Sequence, residues 1–280
     1  MGKLYVVGTP IGNLSDITKR ALDVLKSVDL ILCEDTRHSL KLLNYYGIKK
    51  KLVSYHKFNE QEKKSYCISL LKKGLNIAII SDAGMPCICD PGYILVNECT
   101  KEKIDVYGVG GISAVTTAIS VSGFDTSSFS FYGFFPRENK DKKRIIDDIK
   151  KSNINVFVFY ESPKRIINTL QFLKDNLEEF KITVCSDLTK LHEKRYSGDI
   201  SLVIENLKEN QNSDLGEYTF VIEKESTSKE DKKDDISYEA LIVDTVFKNN
   251  VSIKEAINIL SNSYNKNSLK KAALSLKNIK

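Results

Sequence analysis

The chain reads as an α/β protein: two α/β domains followed by a small C-terminal helical module. Three observations predict this. Short apolar runs of strand length alternate with helix-spaced apolar positions from the first residues onward, the pattern of parallel βαβ units. Glycine-rich turns follow several of those runs, at the strand ends where open α/β sheets bind ligands. A polar stretch, KESTSKEDKKDD over 224–235, then separates this alternation from a tail with helical spacing alone.

In the first domain, 1–122, the opening strand is Leu4–Val7. Ile17, Ala21, Leu22, Leu25 and Val28 share one helical face, so a helix begins after Asp16. Leu30–Cys33 is the next strand, and a helix over Ser39–Tyr46 is stopped by Gly47. Leu52–Ser54 follows as a strand. Asn59 and Glu62 have capping-box spacing and open a helix that ends at Gly74. Ile77–Ile80 reads as a buried strand, and the loop SDAGMPCICDPG after it is too rich in Gly and Pro to be regular. A helix from Tyr93, a strand Ile104–Tyr107, the loop GVGGIS and a helix Ser113–Val121 complete the domain.

The second domain, 123–224, alternates strands at Phe129–Phe134, Val156–Tyr160, Ile182–Ser186 and Tyr218–Glu223 with helices around Lys140–Lys150, Arg165–Leu177 and Ile200–Leu207. Residues 225–235 form a charged linker with nothing apolar to bury. In the last module, 236–280, helical patterns cover Tyr238–Phe247, Ile253–Leu260 and Leu269–Leu276, with Ser252 and Asn267 placed as N-caps. Such a module suits helix-turn-helix-like contact with nucleic acid, or equally a helical cap or dimer element.

Composition narrows the class. Of 280 residues, 41% are hydrophobic and 28% charged, as in soluble globular proteins. No apolar run approaches the ~20 residues of a membrane span, and MGKLYVVGTP lacks the parts of a signal peptide. A cytoplasmic protein is expected. The six cysteines lack paired CxxC spacing; Cys87-Ile88-Cys89 has no neighbouring His, so no metal site is expected. Net charge is +5, and from Ile236 onward seven lysines (248, 254, 266, 270, 271, 277, 280) stand against Glu239, Asp244 and Glu255. That permits an anionic partner.

Three strand-end loops carry the glycines: GTPIGN (8–13), DAGMPCICDPG (82–92) and GVGGIS (108–113). Each alone is ordinary turn chemistry; together they favour a pocket. The first is no dinucleotide fingerprint, because Pro10 stands where GxGxxG needs glycine and has no N–H to donate. No GxxxxGK[ST] occurs, which excludes a P-loop. The packet ILCEDTRHS (31–39) gathers titratable groups at a strand end, either as a solvated cap or as part of that pocket.

The stretches TPIGNLSDIT (9–18), EDTRHSLKLL (34–43), SYHKFNE (54–60), SDAGMPCICDPGY (81–93), GFFPR (133–137), FYESPKR (159–165) and LTKLHE (188–193) resemble those of the tetrapyrrole-methylase superfamily of S-adenosylmethionine (SAM) enzymes, and within it the ribosomal RNA small subunit methyltransferase I family. The resemblance spans residues 1–224 in order, and the tail is similar to the helical domain that ends many members. It implies two α/β domains of the tetrapyrrole-methylase type with the SAM cleft between them, usually in a homodimer. The implied activity is 2′-O-methylation of a cytidine ribose in the decoding region of 16S rRNA, within the small ribosomal subunit.

Carried over residue by residue, Pro10, the run Asp82, Ala83, Gly84, Met85 and Pro86, and Gly110, Gly111, Ser113 and Ala114 border SAM. Thr36, His38, Tyr160, Glu161, Ser162, Arg165, Lys190 and His192 face the RNA, and Glu34, Asp35 and Arg37 carry the chemistry. The chain departs from the family's usual SDAGTPGISDPG at Met85, Cys87 and Cys89, and from PGPSA at Gly110 and Ile112; Met85 gives up a hydroxyl, and the second turn is less pre-organised.

A ribose hydroxyl is a weak nucleophile until its proton is drawn off, so a general base within about 3 Å, or in-line positioning alone, must supply the rate. Glu34 and Asp35 are adjacent and point opposite ways on extended backbone, so one reaches the hydroxyl while Arg37 fixes a phosphate. His38 and His56 read as bases or as hydrogen-bonded loop residues. Tyr160 and Phe134–Phe135 read as base-stacking rings or as interface cover. The run Lys140, Lys142, Lys143 and Arg144 tracks phosphates or is a solvated face. Two other functions stay open: a methyltransferase acting on a small tetrapyrrole or corrinoid, and a non-catalytic RNA-binding or ribosome-assembly protein. The EDTR loop, the YESP motif and the cationic tail speak against the first.

Overall fold

A computed structural model describes residues 1–224, 237–261 and 264–277. The linker expected over 225–235 lies outside the described residues. The chain divides into two compact units, Met1–Glu225 and Ser226–Lys280.

The first unit holds two sheets. Strands β1 (Leu4–Val7), β2 (Leu30–Cys33), β3 (Lys51–Ser54), β4 (Ile77–Ile79) and β5 (Val106–Val109) form a wholly parallel sheet in the order β3-β2-β4-β1-β5. Helices α1 (Lys19–Ser27), α2 (Thr36–Tyr45), α3 (Glu60–Lys72), α4 (Tyr93–Lys101) and α5 (Ala114–Ser122) connect or follow them. Alternate strand residues face opposite layers, as the two-residue period of a strand requires. Leu30, Leu32, Ile77 and Ile79 enter one core with Leu71 and Leu95, while Ile31, Cys33, Ala78 and Ile80 enter another with Leu25 and Leu43. Each fully buried aliphatic side chain contributes roughly 2 kcal/mol.

The second sheet is mixed. Strands β6 (Phe129–Phe134) and β7 (Val156–Glu161) run parallel, whereas β10 (Tyr218–Lys224) is antiparallel to β7 and β8 (Phe180–Ser186), and β8 to β9 (Lys194–Gly198). The order is β6-β7-β10-β8-β9, with α6 (Asn139–Lys151), α7 (Ile166–Asn176) and α8 (Ile200–Glu209) between strands. Val115, Ala118 and Ile119 of α5 pack on Val156, Val158, Cys185 and Val221, which joins the two sheets into one body.

Several local expectations are corrected. Helix α1 starts at Lys19, with the Thr18 hydroxyl accepting the Ala21 N–H at 3.1 Å, after a 3-10 turn over Leu14–Asp16. Helix α2 starts three residues before Ser39, because the Asp35 carboxylate caps it by accepting the Arg37 N–H at 2.8 Å. Asn59 makes no capping box; its Oδ1 accepts the His56 N–H instead, turning the side chain back toward the preceding loop. Strand β5 lies two residues later than expected, and β9 was not expected at all.

In the second unit, α9 (Tyr238–Asn249), α10 (Ile253–Leu260) and α11 (Lys266–Lys277) enclose a core of Ile242, Ala256, Leu269, Ala272 and Ala273. Ser252 and Glu255 form a full capping box. The last helix is headed by Asn265 rather than Asn267: the Asn265 Oδ1 accepts the N–H of Asn267 at 2.9 Å. No described helix is long and apolar enough to cross a membrane.

Candidate active site

Because β1 sits between β4 and β5, the loops leaving their C-terminal ends are neighbours, and the sequence of each lets them touch. Thr9 and Gly84 form an isolated antiparallel bridge: the Thr9 N–H donates to the Gly84 carbonyl at 2.9 Å and the Gly84 N–H to the Thr9 carbonyl at 3.2 Å. Gly8 and Gly111 meet back to back, so that a Cβ built on Gly8 would lie 2.8 Å from the Gly111 Cα and 2.7 Å from the Met85 Sδ. Only glycine at both positions allows this approach. Three loops thereby become one rim.

Two cavities open on that rim. The first, about 410 Å³, lies between the sheets. Asp82, Ala83, Gly84, Met85, Ser113 and Ala114 line it from the first sheet's loops, and Tyr160, Glu161 and Ser162 from the second sheet. The four carboxylates on its lining are Asp82, Asp90, Glu161 and Glu217, and none of its described lining residues is Lys, Arg or His. The second cavity, about 420 Å³, adjoins it and carries Pro10, His38 and Lys190. Ile11, Asp82, Ala83 and Glu217 line both, forming a common wall.

The remaining expected residues sit elsewhere. Pro86 is buried behind the wall, and Gly110 accepts the Thr18 hydroxyl through its carbonyl at 3.3 Å. Gly111 holds Gly8 and does not line either cavity. Glu34, Asp35, Thr36, Arg37, Arg165 and His192 line neither.

Their contacts explain why. Both Asp35 oxygens are engaged: Oδ1 accepts the Arg37 N–H and Nε, and Oδ2 accepts the Arg37 terminal nitrogen at 2.8 Å. These bonds hold the Asp35 carboxyl well below its ordinary range. The Asp35 N–H in turn donates to Asp82 Oδ1 at 3.3 Å, tying the helix start to the shared wall. Glu34 is half-buried, and its pKa is raised by burial first and then by the Asp82 charge. The His56 Nε2 lies 3.0 Å from the Asn59 Nδ2, whose N–H it accepts, which leaves the proton on a buried Nδ1 with no partner among the described residues. Burial, together with the charges of Glu34 and Asp82, pushes the Asp90 carboxyl up to about 6.

The YESPKR segment is turned inward. Glu161 is buried, its oxygens accepting the Ser162 N–H at 2.7 Å and the Thr169 hydroxyl, and Arg165 pairs with it at 3.1 Å. Arg165 also donates to the carbonyls of Phe135 and Pro136 at 2.7 and 2.8 Å, clamping the FFPR turn. Phe134 is left exposed on the first cavity's lining, edge-on to Tyr160 at 5.5 Å.

Lys190 spans the sheets. Its Nζ donates to Asp187 at 2.9 Å and Glu217 at 3.1 Å, and its stem lies across Gly12. The Asn13 N–H donates to the Thr189 hydroxyl at 3.2 Å beside it.

Sequence reasoning missed several lining residues. Asp90 and Cys89 stood inside a quoted motif, and Lys41 inside another. Tyr45 and the strand start Gly216–Thr219 carried no signal, because they reach the cavities only through the fold.

Residues 3–203 match the family of tetrapyrrole (corrin/porphyrin) methylases. The chain is 47% identical over 222 residues to the ribosomal RNA small subunit methyltransferase I of Thermotoga maritima, covering 79% of this chain and 98% of that protein. It is 41% identical to the protein of the same name from Haemophilus influenzae, over 96% of this chain and 95% of the relative. A crystal structure of diphthine synthase superposes with a TM-score of 0.60 over 80% of this chain and 90% of that one, at 12% identity, a likeness of fold alone. Loops, sheets and relatives agree: the chain belongs to the tetrapyrrole methylase family, within its ribosomal RNA small subunit methyltransferase I group.

Proposed function

We propose that this protein is a SAM-dependent ribosomal RNA methyltransferase that 2′-O-methylates the ribose of a cytidine in the decoding region of 16S rRNA, in the small ribosomal subunit. The single observation that carries this reading is the pair of adjoining cavities: one lined by carboxylates and free of cationic side chains, the other bearing His38 and Lys190, with Asp82 and Ala83 between them. The names of the relatives support the RNA substrate.

The first cavity fits the cofactor. Its volume is within the range of small-molecule sites, and its carboxylates suit a sulfonium cation while repelling phosphate. Asp82, Ala83, Gly84, Met85, Ser113 and Ala114 would hold SAM, which supplies an electrophilic methyl group when bound. The Met85 thioether, which stands where the family usually has a hydroxyl, packs over Gly8.

The chain's own residues do the rest. Asp82 stands on the shared wall and is oriented by the Asp35 N–H, so it is the carboxylate placed to accept a hydroxyl proton. Glu34 and Asp35 act behind it, Asp35 as the cap and partner that fixes Arg37. Arg37 is exposed and presents its outer donors to a backbone phosphate. The aromatic pair Phe134 and Tyr160 gives the first cavity an apolar wall. The same reading places the enzyme in the cytoplasm as a homodimer, which sedimentation of the purified protein tests.

The deciding experiment incubates the protein with methyl-labelled SAM and small subunits lacking native methylation, then digests the rRNA to nucleosides for mass spectrometry. Label on the ribose of one cytidine is the expected result. Label on a base, or none with subunits that a known relative methylates, overturns the reading.

A further inference from the structure

We propose that the second cavity is the subsite for an everted nucleotide, with the Tyr45 ring as the stacking surface for the base and Lys41 and His38 as phosphate contacts. This rests on the rRNA-methyltransferase reading above and adds Tyr45, which neither the motifs nor the carried-over positions include, and Lys41, which no carried-over position includes.

The argument starts from helix spacing. His38, Lys41, Leu42 and Tyr45 stand at i, i+3, i+4 and i+7 on α2, so they form one stripe of that helix. All four line the second cavity. A stripe at this spacing ordinarily faces a protein core with aliphatic residues. Here it combines two groups that carry or accept positive charge, one aliphatic side chain and an aromatic ring 67% exposed.

The ring is braced on one side. Tyr46 packs edge-on against it, with centroids 4.9 Å apart and planes at 85°. Tyr46 is itself anchored, its hydroxyl donating to the carbonyl of Leu14, another lining residue. An exposed aromatic braced in this way loses little freedom when a base stacks on it, and single-strand RNA readers are built from such rings beside cations.

Charge separates this cavity from its neighbour. Neither Lys41 nor His38 pairs with a carboxylate among the described residues, whereas Lys190 on the far side is already held by Asp187 and Glu217. Lys41, on α2, thus brings an ammonium with no carboxylate partner among the described residues, and the wall shared with the first cavity supplies Asp82. A nucleotide with its base on Tyr45 and its phosphate at Lys41 has its sugar between them and that wall. Extrusion from the stack is how enzymes that do chemistry on a base reach it, and the stripe on α2 offers a surface for the same displacement here.

The test compares the full-length wild type with Tyr45→Ala and Lys41→Ala, using Phe58→Ala as the control. Phe58 is an aromatic 94% exposed that lines neither cavity. Steady-state methylation of small subunits is measured alongside SAM affinity by calorimetry. Tyr45→Ala is expected to lower kcat/KM for subunits about ten- to hundred-fold, the scale of one lost base stack. SAM affinity stays unchanged, and Phe58→Ala matches wild type. Lys41→Ala is expected to reduce the slope of log affinity for the subunit against log salt by about one. If wild type methylates and both α2 variants keep its kcat/KM and salt slope, the subsite is overturned while the methyltransferase reading stands. If wild type itself labels no RNA, both fall together. Loss of SAM affinity in Tyr45→Ala also overturns the assignment, since the ring would then belong to the cofactor's cavity.

Discussion

Arg165 reaches Glu161 at 3.1 Å while spending its other bonds on two main-chain carbonyls, so a motif that reads as RNA contact is a buried clamp. Arg165→Ala leaves the Glu161 carboxylate buried with only the Ser162 N–H and the Thr169 hydroxyl. Removing one partner of a buried pair costs about 3–5 kcal/mol. A urea melt should show the midpoint falling by that free energy divided by the slope, with the slope unchanged. Replacing both partners, as Glu161→Gln with Arg165→Met, should cost less than Arg165→Ala alone.

Arg37 behaves in the opposite way. Its side chain is 88% exposed, and among the described residues it pairs only with the residue that caps its own helix. Arg37→Ala should leave the melting temperature where it is and lower kcat/KM for subunits, with a shallower salt dependence of RNA binding. An unchanged kcat/KM removes Arg37 from the RNA side.

Asp90 gives the protein a pH signature. Its folded pKa of about 6 lies above the ordinary 3.8, so the native state binds the extra proton between those values. Stability therefore falls as pH rises from about 4 to 6 and is level above that. Asp90→Asn should remove the slope and stabilise the protein at neutral pH by on the order of 1 kcal/mol, after allowing for solvent screening at a half-exposed group. Ionised Asp90 adds negative charge to the first cavity, so calorimetric SAM affinity should rise through pH 6 in wild type and stay flat in Asp90→Asn.

Gly111→Ala tests the rim. The added methyl would sit 2.9 Å from the Gly8 Cα, where only main chain is available to move. The β1 and β5 loops must separate, carrying Met85 with them. SAM affinity should drop at least ten-fold, a loss of about 1.4 kcal/mol, with a smaller fall in melting temperature. Retention of full affinity shows that the loops tolerate separation.

Much of this was legible in advance, for a definite reason. β1, β2 and β4 are short continuous apolar runs bounded by turn residues, and a doubly covered parallel sheet demands that pattern. The mixed direction of the second sheet had no such signature: the apolar runs of β8 and β10 look the same whichever way they point. Strand β9, KRYSG, is an edge strand whose side chains mostly face water, so it lacks apolar alternation. At the site, the strand-end loops of the first sheet gather on one rim, since main-chain connectivity puts them there. Charge misled where the fold buries it, at Glu161 and Arg165. Tyr45 was unreadable because Leu14, which lines the second cavity with it, lies on a loop far away in sequence.

The wall of Ile11, Asp82, Ala83 and Glu217 has a thermodynamic consequence. Two ligands that press on the same four residues cannot bind independently. Glu217 is already offset by the Lys190 ammonium, so a cation seated in the first cavity would chiefly offset the negative field that Asp82 projects into the second, and so lower the repulsion felt by an incoming phosphate. By linkage, RNA then tightens the hold on that cation by the same factor. On the proposed reaction, transfer of the methyl group would leave an uncharged thioether, the offset would disappear and both products would loosen together. Turnover would then be timed by a charge lost from the far side of a shared partition.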